Sequence, residues 1–356
     1  MTKAARTYRV IFWEEPIFEE NAKVSVDLQP QGDNITIAVP KLPRGMGEAD
    51  IRDTLRSLLD GVLSQAGAPR ELIAWYGTPM MLEFSDHLRP SLTVYDNMDE
   101  LASFLFAPPQ LVELENRLLK RADVVFTGGM SIFEAKQHRH DNIHPKPSSI
   151  DKAHFAKARD WTGGAPEDQA DIPHPRIGWF GVIDERMDPQ FVADLADVKP
   201  DWQFVMIGPV VKIDPAVLPQ RANIHWLGQK SYESLPAYLA GWDAGFIPYA
   251  INEATRFISP TKTPEFLAAG VPLVATPIKD IVRPYGDLGL CEIVDTPQQM
   301  ADALERAMGQ DEQSFLAKVD DFLADKSWDR TWSEMETEMK AASARNAEQS
   351  HLRESA

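Results

Sequence analysis

The sequence has little cysteine, fewer basic than acidic residues, and no long apolar segment. Cys291 is the single cysteine among 356 residues, which excludes an internal disulfide bond and fits a reducing compartment. No apolar run approaches the roughly 20 residues of a membrane-spanning helix, and no signal-peptide core opens the chain. The formal net charge of −18 argues against duplex nucleic acid or an anionic membrane face as the main partner. We therefore expect a cytoplasmic enzyme or binding protein, in which a local basic pocket for phosphate remains compatible with the overall acidity.

Histidine and cysteine are also arranged poorly for a metal site. Only His140 and His144 have a ligand-like spacing, four residues apart. Their segment is too rich in Asp, Asn and Pro to predict the helix that would align them, and Cys291 is distant in sequence. We expect no bound metal.

The apolar runs and helical periods alternate along the chain as in α/β proteins. Length and composition allow two globular domains. The pattern predicts a first domain at 1–145, a linker at 146–175 rich in Pro, Gly, Ser and Asp, a second domain at 176–311, and C-terminal helices with a frayed tail at 312–356. Each domain should be a doubly wound, Rossmann-like parallel sheet, with a ligand in the cleft outside the strand carboxyl ends.

Buried strands are expected at similar spacings in both halves. A hairpin is predicted from 23–28 and 35–39, where the apolar residues alternate. The other predicted strands are 8–13, 72–76, 92–95, 123–127, 176–180, 202–208, 224–227, 244–248, 272–275 and 291–294.

The segment 259–276 carries the clearest chemistry. It reads as a loop, a helix at 264–269, a glycine stop at Gly270 and a buried strand. A helix N-terminus suits a phosphate, and Lys262 adds a full positive charge there. The Glu265 carboxylate can accept hydrogen bonds from two sugar hydroxyls. Together they indicate a nucleotide-sugar site, although an ordinary loop–helix–strand unit with both side chains solvated would show the same pattern.

Further candidate ligand contacts follow other strands of the second half. A glycine turn at Gly181 would let the backbone approach a phosphate, and Arg186 could bind the same diphosphate with its planar fork. Equally, Arg186 could pair with a neighbouring acidic residue. Gly208, Gly228 and Lys230 also follow strands, where a nucleobase should lie.

A transfer reaction needs a base for the acceptor hydroxyl, and the acidic run after strand 92–95 offers two candidates. Asp96 and Asp99 would share a face if a helix started there, and their mutual repulsion would raise one pKa. The competing interpretation is a helix start, with Asp96 as the cap and Asp99 in the first turn.

The segment 259–276 resembles the donor-binding signature of GT-B glycosyltransferases, Pro-x-Lys-x-x-Glu-Phe-Leu-Ala-x-Gly-x-Pro-Val-Val. Weaker likenesses in the same order extend over about residues 70–335, and they are similar to bacterial enzymes that build capsules, exopolysaccharides and teichuronic acids. The resemblance implies that Thr261 and Lys262 hold a diphosphate and that Glu265 holds the ribose hydroxyls. Many retaining members carry a second Glu where this chain has Phe257, which favours inversion, and Asp residues similar to Asp99 act as the base in some inverting relatives.

The resemblance implies a GT-B enzyme that moves a sugar from a nucleoside diphosphate sugar, with UDP favoured, to a glycan or lipid-linked acceptor in cell-surface polysaccharide synthesis. The donor is a co-substrate and no cofactor or metal is expected, because Lys262, Arg186 and the helix end could neutralise the diphosphate. Contact with the inner membrane face stays open. Two alternatives remain: a nucleotide-sugar epimerase, and a catalytically silent nucleotide-sugar-binding scaffold.

The beginning of the chain departs from the family pattern. Relatives place a strand, a glycine or serine loop and a helix before the strand that matches 8–13, whereas seven residues precede Tyr8 here. We expect a first domain with fewer strands, whose exposed edge a second copy or a partner chain could cover.

Overall fold

The computed structural model describes residues 1–67 and 71–354. The strands in this part of the chain are β1 (Val10–Trp13), β2 (Ile17–Glu19), β3 (Ser25–Gln31), β4 (Ile35–Pro43), β5 (Ile73–Tyr76), β6 (Leu92–Asn97), β7 (Val124–Thr127), β8 (Ile143–Pro145), β9 (Arg176–Phe180), β10 (Gln203–Ile207), β11 (Ile224–Gly228), β12 (Ala244–Ile247), β13 (Leu273–Ala275) and β14 (Glu292–Ile293). The α-helices are α1 (Glu48–Gln65), α2 (Leu82–Ser85), α3 (Leu111–Arg121), α4 (Met130–Lys136), α5 (Lys152–Phe155), α6 (Glu167–Ala170), α7 (Pro189–Val198), α8 (Leu235–Leu239), α9 (Lys262–Ala268), α10 (Lys279–Ile281), α11 (Pro297–Met308), α12 (Glu312–Leu323) and α13 (Trp328–Glu354).

The second half of the chain forms a six-stranded parallel sheet in the order β11-β10-β9-β12-β13-β14. Helices cover both faces, so the central strands are buried on both sides and appear in the sequence as continuous apolar runs. The strands predicted in this half are confirmed, with small differences at their ends. We call this unit the second domain.

The first half contains two smaller sheets. Strands β5 to β8 form a parallel sheet in chain order, and we call this sheet with the elements around it the first domain. The predicted hairpin is confirmed as the antiparallel pair β3 and β4. Strands β1 and β2 pair in parallel with β4, apart from the β5–β8 sheet. In the described residues the β5–β8 sheet has four strands, and the parallel sheet of the second domain has six.

The segment expected to be an irregular linker folds onto the second domain. It contains α5 and α6, and Phe155 of α5 packs its ring against Phe180 of β9 at 6.2 Å. The side chain of Gln169 in α6 accepts a hydrogen bond from the Trp242 indole at 2.8 Å. The apolar residues of this segment pack into the hydrophobic core of the second domain. They are few and unevenly spaced, so the sequence showed no helical period.

The last helix returns to the first domain. Helix α12 packs on α9 of the second domain, whereas α13 lies against β6 and β7. Trp332 of α13 contacts Trp75 and Tyr8, with ring centroids 6.1 and 6.3 Å apart. The helix continues to Glu354, and residues 355 and 356 of the predicted frayed tail lie outside the described residues. No helix in the described part of the chain has the length and apolar character needed to cross a membrane.

Helices α4 and α10 connect the two domains directly. The Ser131 backbone N–H of α4 donates to the Asp280 carboxylate of α10 at 3.0 Å. Glu134 binds Lys279 at 2.6 Å and Arg283 at 3.0 Å. These contacts bring the carboxyl ends of β7 and β13 to opposite sides of one cleft.

Candidate functional site

The start of α9 holds a compact charged pair beside an aromatic ring. The helix begins at Lys262, with Thr261 at its cap position, so it starts two residues earlier than predicted. The Lys262 Nζ lies 2.8 Å from the Glu265 Oε2 and 5.0 Å from the Phe180 ring centroid. The side chains are only 25% and 14% exposed, so the interpretation of two solvated residues is wrong. Burial raises the pKa of Glu265, and the Lys262 charge opposes that shift.

Three predicted glycines lie together at the carboxyl ends of β9, β10 and β11. The Gly208 N–H donates to the Gly228 carbonyl at 2.9 Å, and a Cβ on Gly208 would lie 1.6 Å from the Gly181 carbonyl oxygen. A Cβ on Gly181 would lie 3.6 Å from the Lys262 Cε. Gly208 also has a φ of +150°, so a side chain there is excluded by both space and conformation. Lys262 therefore lies beside a patch of bare backbone.

Arg186 is held by an acidic neighbour. Its Nε and Nη2 donate to the Asp184 carboxylate at 2.8 and 2.7 Å, and Asp184 is buried. This pair is the competing interpretation that the sequence left open. These two bonds fix the plane of the guanidinium, and Nη1 takes no part in them. Tyr249 lies nearby; its pKa is raised to about 12, mainly by burial, against the effect of Arg186.

Lys230 has different neighbours. Its Nζ lies 2.5 Å from Asp168 of α6 and 5.7 Å from the Tyr238 ring centroid. The Tyr238 hydroxyl donates to the same Asp168 at 2.8 Å. These contacts tie the loop after β11 to the segment between the domains, and they do not bring Lys230 onto Lys262 or Arg186.

Asp96 and Asp99 lie in different environments. Strand β6 continues through Asp96 to Asn97, so the helix-start interpretation is wrong. Asp96 pairs across the sheet with Phe126, which packs under Trp75 at 6.0 Å. Burial raises the pKa of Asp96 to about 6, against a hydrogen bond from Trp75. Asp99 does not contribute to this shift, so the predicted mutual repulsion is also wrong.

Asp99 faces the second domain. Its backbone carbonyl accepts hydrogen bonds from the Asn97 side chain at 2.8 Å and from the Leu101 N–H at 3.0 Å. Burial raises the pKa of Asp99, while the charges of Arg186 and Lys212 lower it. Both cations belong to loops of the second domain. The structure therefore brings Asp99, rather than Asp96, towards the loops that carry the predicted ligand contacts.

Comparisons with known proteins agree with this geometry. Residues 174–310 match the family described as Glycosyl transferases group 1. The chain is 24% identical over 278 residues to a Bacillus subtilis (strain 168) protein described as a teichuronic acid biosynthesis glycosyltransferase, covering 73% of this chain and 69% of that protein. The resemblance to group 1 glycosyltransferases is confirmed.

Solved structures identify the fold. An E. coli structure described as trehalose-6-phosphate bound with UDP-2-fluoro glucose superposes with a TM-score of 0.72 at 14% identity, covering 95% of this chain and 94% of that one. A UDP-forming α,α-trehalose-phosphate synthase from Burkholderia xenovorans gives 0.68 at 14% identity, with 92% of both chains covered. Anabaena HepE in complex with UDP and glucose gives 0.56 at 15% identity over 81% of each chain. The fold is GT-B, with two Rossmann-like domains.

Two residues of the GT-B cleft were missed by the sequence analysis. Phe104 follows β6, and its ring centroid lies 5.9 Å from the Arg186 Cζ and 5.0 Å from the Lys212 Nζ. The next residue, Leu105, donates its N–H to the Glu185 Oε1 at 3.2 Å. Neither Phe104 nor Lys212 belongs to a recognisable motif, and only the approach of the domains brings them together. Lys212 has a φ of +62°, which is uncommon for a lysine.

The two histidines considered for metal binding make ordinary hydrogen bonds. The His140 Nε2 lies 2.9 Å from the Ala122 carbonyl oxygen, and the His144 Nε2 lies 2.9 Å from the Asn142 Oδ1. Among the described residues, the structure brings together no group of three or more His, Cys, Asp or Glu side chains that could hold a metal ion.

Proposed function

We propose that this protein is a glycosyltransferase that moves a sugar from a nucleoside diphosphate sugar, with UDP favoured, to a hydroxyl of a glycan or lipid-linked acceptor in cell-surface polysaccharide synthesis. The observation that carries the proposal is the Lys262–Glu265 pair beside the Gly181 backbone. It provides a cation, a carboxylate and bare backbone within one small region. The family match and the teichuronic acid relative support the same activity.

The second domain would bind the donor. Lys262 and Arg186 place two positive charges at the carboxyl end of the sheet, where they can stabilise the charge that develops on the leaving diphosphate. Because side chains supply this charge, we propose that the reaction needs no metal ion. Glu265 uses Oε2 for Lys262, and its Oε1 can accept hydrogen bonds from the ribose hydroxyls.

The first domain would activate the acceptor through Asp99. The acceptor O–H transfers its proton to the Asp99 carboxylate while the oxygen forms a bond to the anomeric carbon. The bond between that carbon and the diphosphate breaks, and its electron pair goes to the phosphate oxygen. Attack opposite to the leaving group inverts the anomeric centre. Inversion agrees with Phe257 standing where many retaining relatives have a carboxylate.

The test has a binding part and a reaction part. Calorimetric titration with UDP, GDP and ADP should show binding of a nucleoside diphosphate, with UDP the tightest. Incubation with UDP-sugars should release UDP, and release should accelerate when acceptor glycans are added. Failure of all three nucleotides to bind would reject the proposal. Interconversion of donor sugars without acceptor would indicate an epimerase, and UDP-sugar binding without release over a broad acceptor panel would indicate a binding scaffold.

A further inference from the structure

The loop that carries Asp99, residues 98–105, is anchored within its own domain by a buried ion network. Glu100 binds the Lys136 Nζ of α4 at 2.7 Å, and Lys136 also pairs with Glu115 of α3. The Lys136 side chain is only 4% exposed. Arg139 adds a second cation to Glu115 at 2.9 Å. This network fixes the first half of the loop and neutralises Glu100 next to Asp99.

The second half of the loop is anchored in the other domain. Phe104 packs against the hydrophobic core of the second domain, and Arg186 and Lys212 both lie over its ring. A cation over an aromatic face is attracted by the ring quadrupole. The Leu105 N–H bond to Glu185 holds the neighbouring backbone. One aromatic side chain therefore gathers two cations of the second domain beside the loop of the first.

The same two cations act on Asp99. The charged groups that face it from the second domain are Arg186 and Lys212, and they favour its ionised form. Within the loop, Glu100 is neutralised by Lys136. A nucleoside diphosphate that binds Arg186 or Lys212 brings at least two negative charges to them. Neutralised cations stabilise a neighbouring carboxylate less, so the carboxylate binds its proton more tightly.

On the basis of the proposed function, we propose that Phe104 is a positioning residue that keeps Arg186 and Lys212 beside Asp99, so that a bound diphosphate makes Asp99 a stronger base. Acceptor activation is then coupled to donor occupancy across the cleft. By linkage, diphosphate binding and proton binding at Asp99 favour each other.

The coupling can be measured with UDP alone. UDP is titrated calorimetrically between pH 4.5 and 7 in buffers of different ionisation enthalpy, which gives the number of protons taken up per UDP. The wild-type protein should take up a fraction of a proton, up to about one, more than Asp99→Asn does. Because both proteins bind the same UDP, titration of the nucleotide cancels in the difference.

Two variants should lose this excess uptake by independent routes. Phe104→Leu keeps an apolar side chain but removes the aromatic face that attracts Arg186 and Lys212, so that Asp184 alone holds Arg186 and Lys212 is freed. Lys212→Met removes the second cation itself. In both variants the number of protons taken up per UDP should fall towards the value for Asp99→Asn. Melting temperatures are recorded to confirm that each variant folds. Phe106→Leu is the matched control, since Phe106 lies two residues along the chain and is 83% exposed; it should keep the wild-type uptake.

The outcomes separate this inference from the proposed function. Absence of UDP binding to the wild-type protein rejects the function itself. UDP binding with equal proton uptake in wild type and Asp99→Asn overturns the coupling. Loss of the excess in Asp99→Asn but wild-type uptake in Phe104→Leu overturns the positioning role.

Discussion

The Lys262 ammonium and the Glu265 carboxylate form an ion pair one helical turn apart, with 2.8 Å between Nζ and Oε2. Residues spaced i and i+3 share a helix face, so the pair is defined by the start of α9. Each group stabilises the charge of the other in a partly buried position. The Lys262 charge therefore opposes the rise that burial causes in the pKa of Glu265, and the pair holds Lys262 towards the Gly181 turn.

Replacing Lys262 should weaken diphosphate binding in two ways. Lys262→Met removes a charge-assisted contact worth about 1.5–3 kcal/mol, which corresponds to roughly 10- to 150-fold in the dissociation constant for UDP. It also removes the positive charge that lowers the pKa of Glu265, so this pKa rises further. UDP binding should therefore decline more steeply below neutral pH in the variant than in wild type. Calorimetry at pH 6 and pH 8 measures both effects. Lys318→Met, at an exposed position of α12, is the control; equal UDP affinity in wild type and Lys262→Met would contradict the site.

Replacing Asp99 should abolish acceptor activation without weakening donor binding. Asp99→Asn cannot take a proton, so turnover should fall by roughly 10²- to 10⁴-fold. UDP affinity near pH 8 should not fall below that of wild type, because Asn, like protonated Asp99, carries no negative charge that opposes the diphosphate. The matched control is Asp96→Asn, three residues earlier but on the face of the sheet that packs under α13. Steady-state rates with saturating donor give the comparison, and equal turnover losses in both variants would remove Asp99 from its assigned role.

Asp96 should make the protein less stable at neutral pH than in mild acid. Its native pKa of about 6 lies above the ordinary value of 3.8, so the native state binds the proton more tightly than the unfolded state. The stabilisation is present in full below pH 3.8 and is lost as the pH rises through 6. Asp96→Asn should raise the free energy of unfolding by up to about 3 kcal/mol at pH 8 and change it little at pH 4. Urea denaturation at both pH values tests the sign of the change in unfolding free energy. If Asp96→Asn were less stable than wild type at pH 8, the folded protein would favour the charged form of Asp96.

Removing the buried cation of the first domain should be costly. Lys136→Met leaves the Glu100 and Glu115 carboxylates with less compensation, and breaking such a pair destabilises proteins by about 3–5 kcal/mol. The comparison is Lys340→Met, which removes an exposed partner of Glu336 and should cost about 1 kcal/mol or less. Urea denaturation of the two variants at pH 7 measures the difference. Equal losses would mean that the network is not a stabilising element.

The second domain was predictable because its central strands are buried on both faces. Short apolar runs therefore stand out between helices. The start of α9 was placed two residues late because Pro264 suggested a first helical position, whereas a proline is also tolerated later in the first turn. The end of β6 was missed because polar Asp96 and Asn97 pair with β7, and only the partner strand reveals that they are extended.

The cleft was predictable only on the side that carries a local motif. Lys262 and Glu265 are three residues apart, so the helix places them together. Phe104 and Lys212 are far apart in the sequence and meet through the approach of two domains. The composition of the two loops does not predict that Phe104 and Lys212 come into contact. The partner of Arg186 was left open, because several neighbouring acidic residues could have reached it.

The return of α13 to the first domain determines how the cleft can open. The chain crosses between the domains once at the segment before β9 and again between α12 and α13, so two covalent connections join the same two bodies. A single connection would allow the domains to twist and swing about many axes. With two connections, the domains can rotate easily about one axis only, the line that passes through both crossings. Extending either crossing with flexible glycines should free the other rotations and loosen the approach of Asp99 to Arg186 and Lys212.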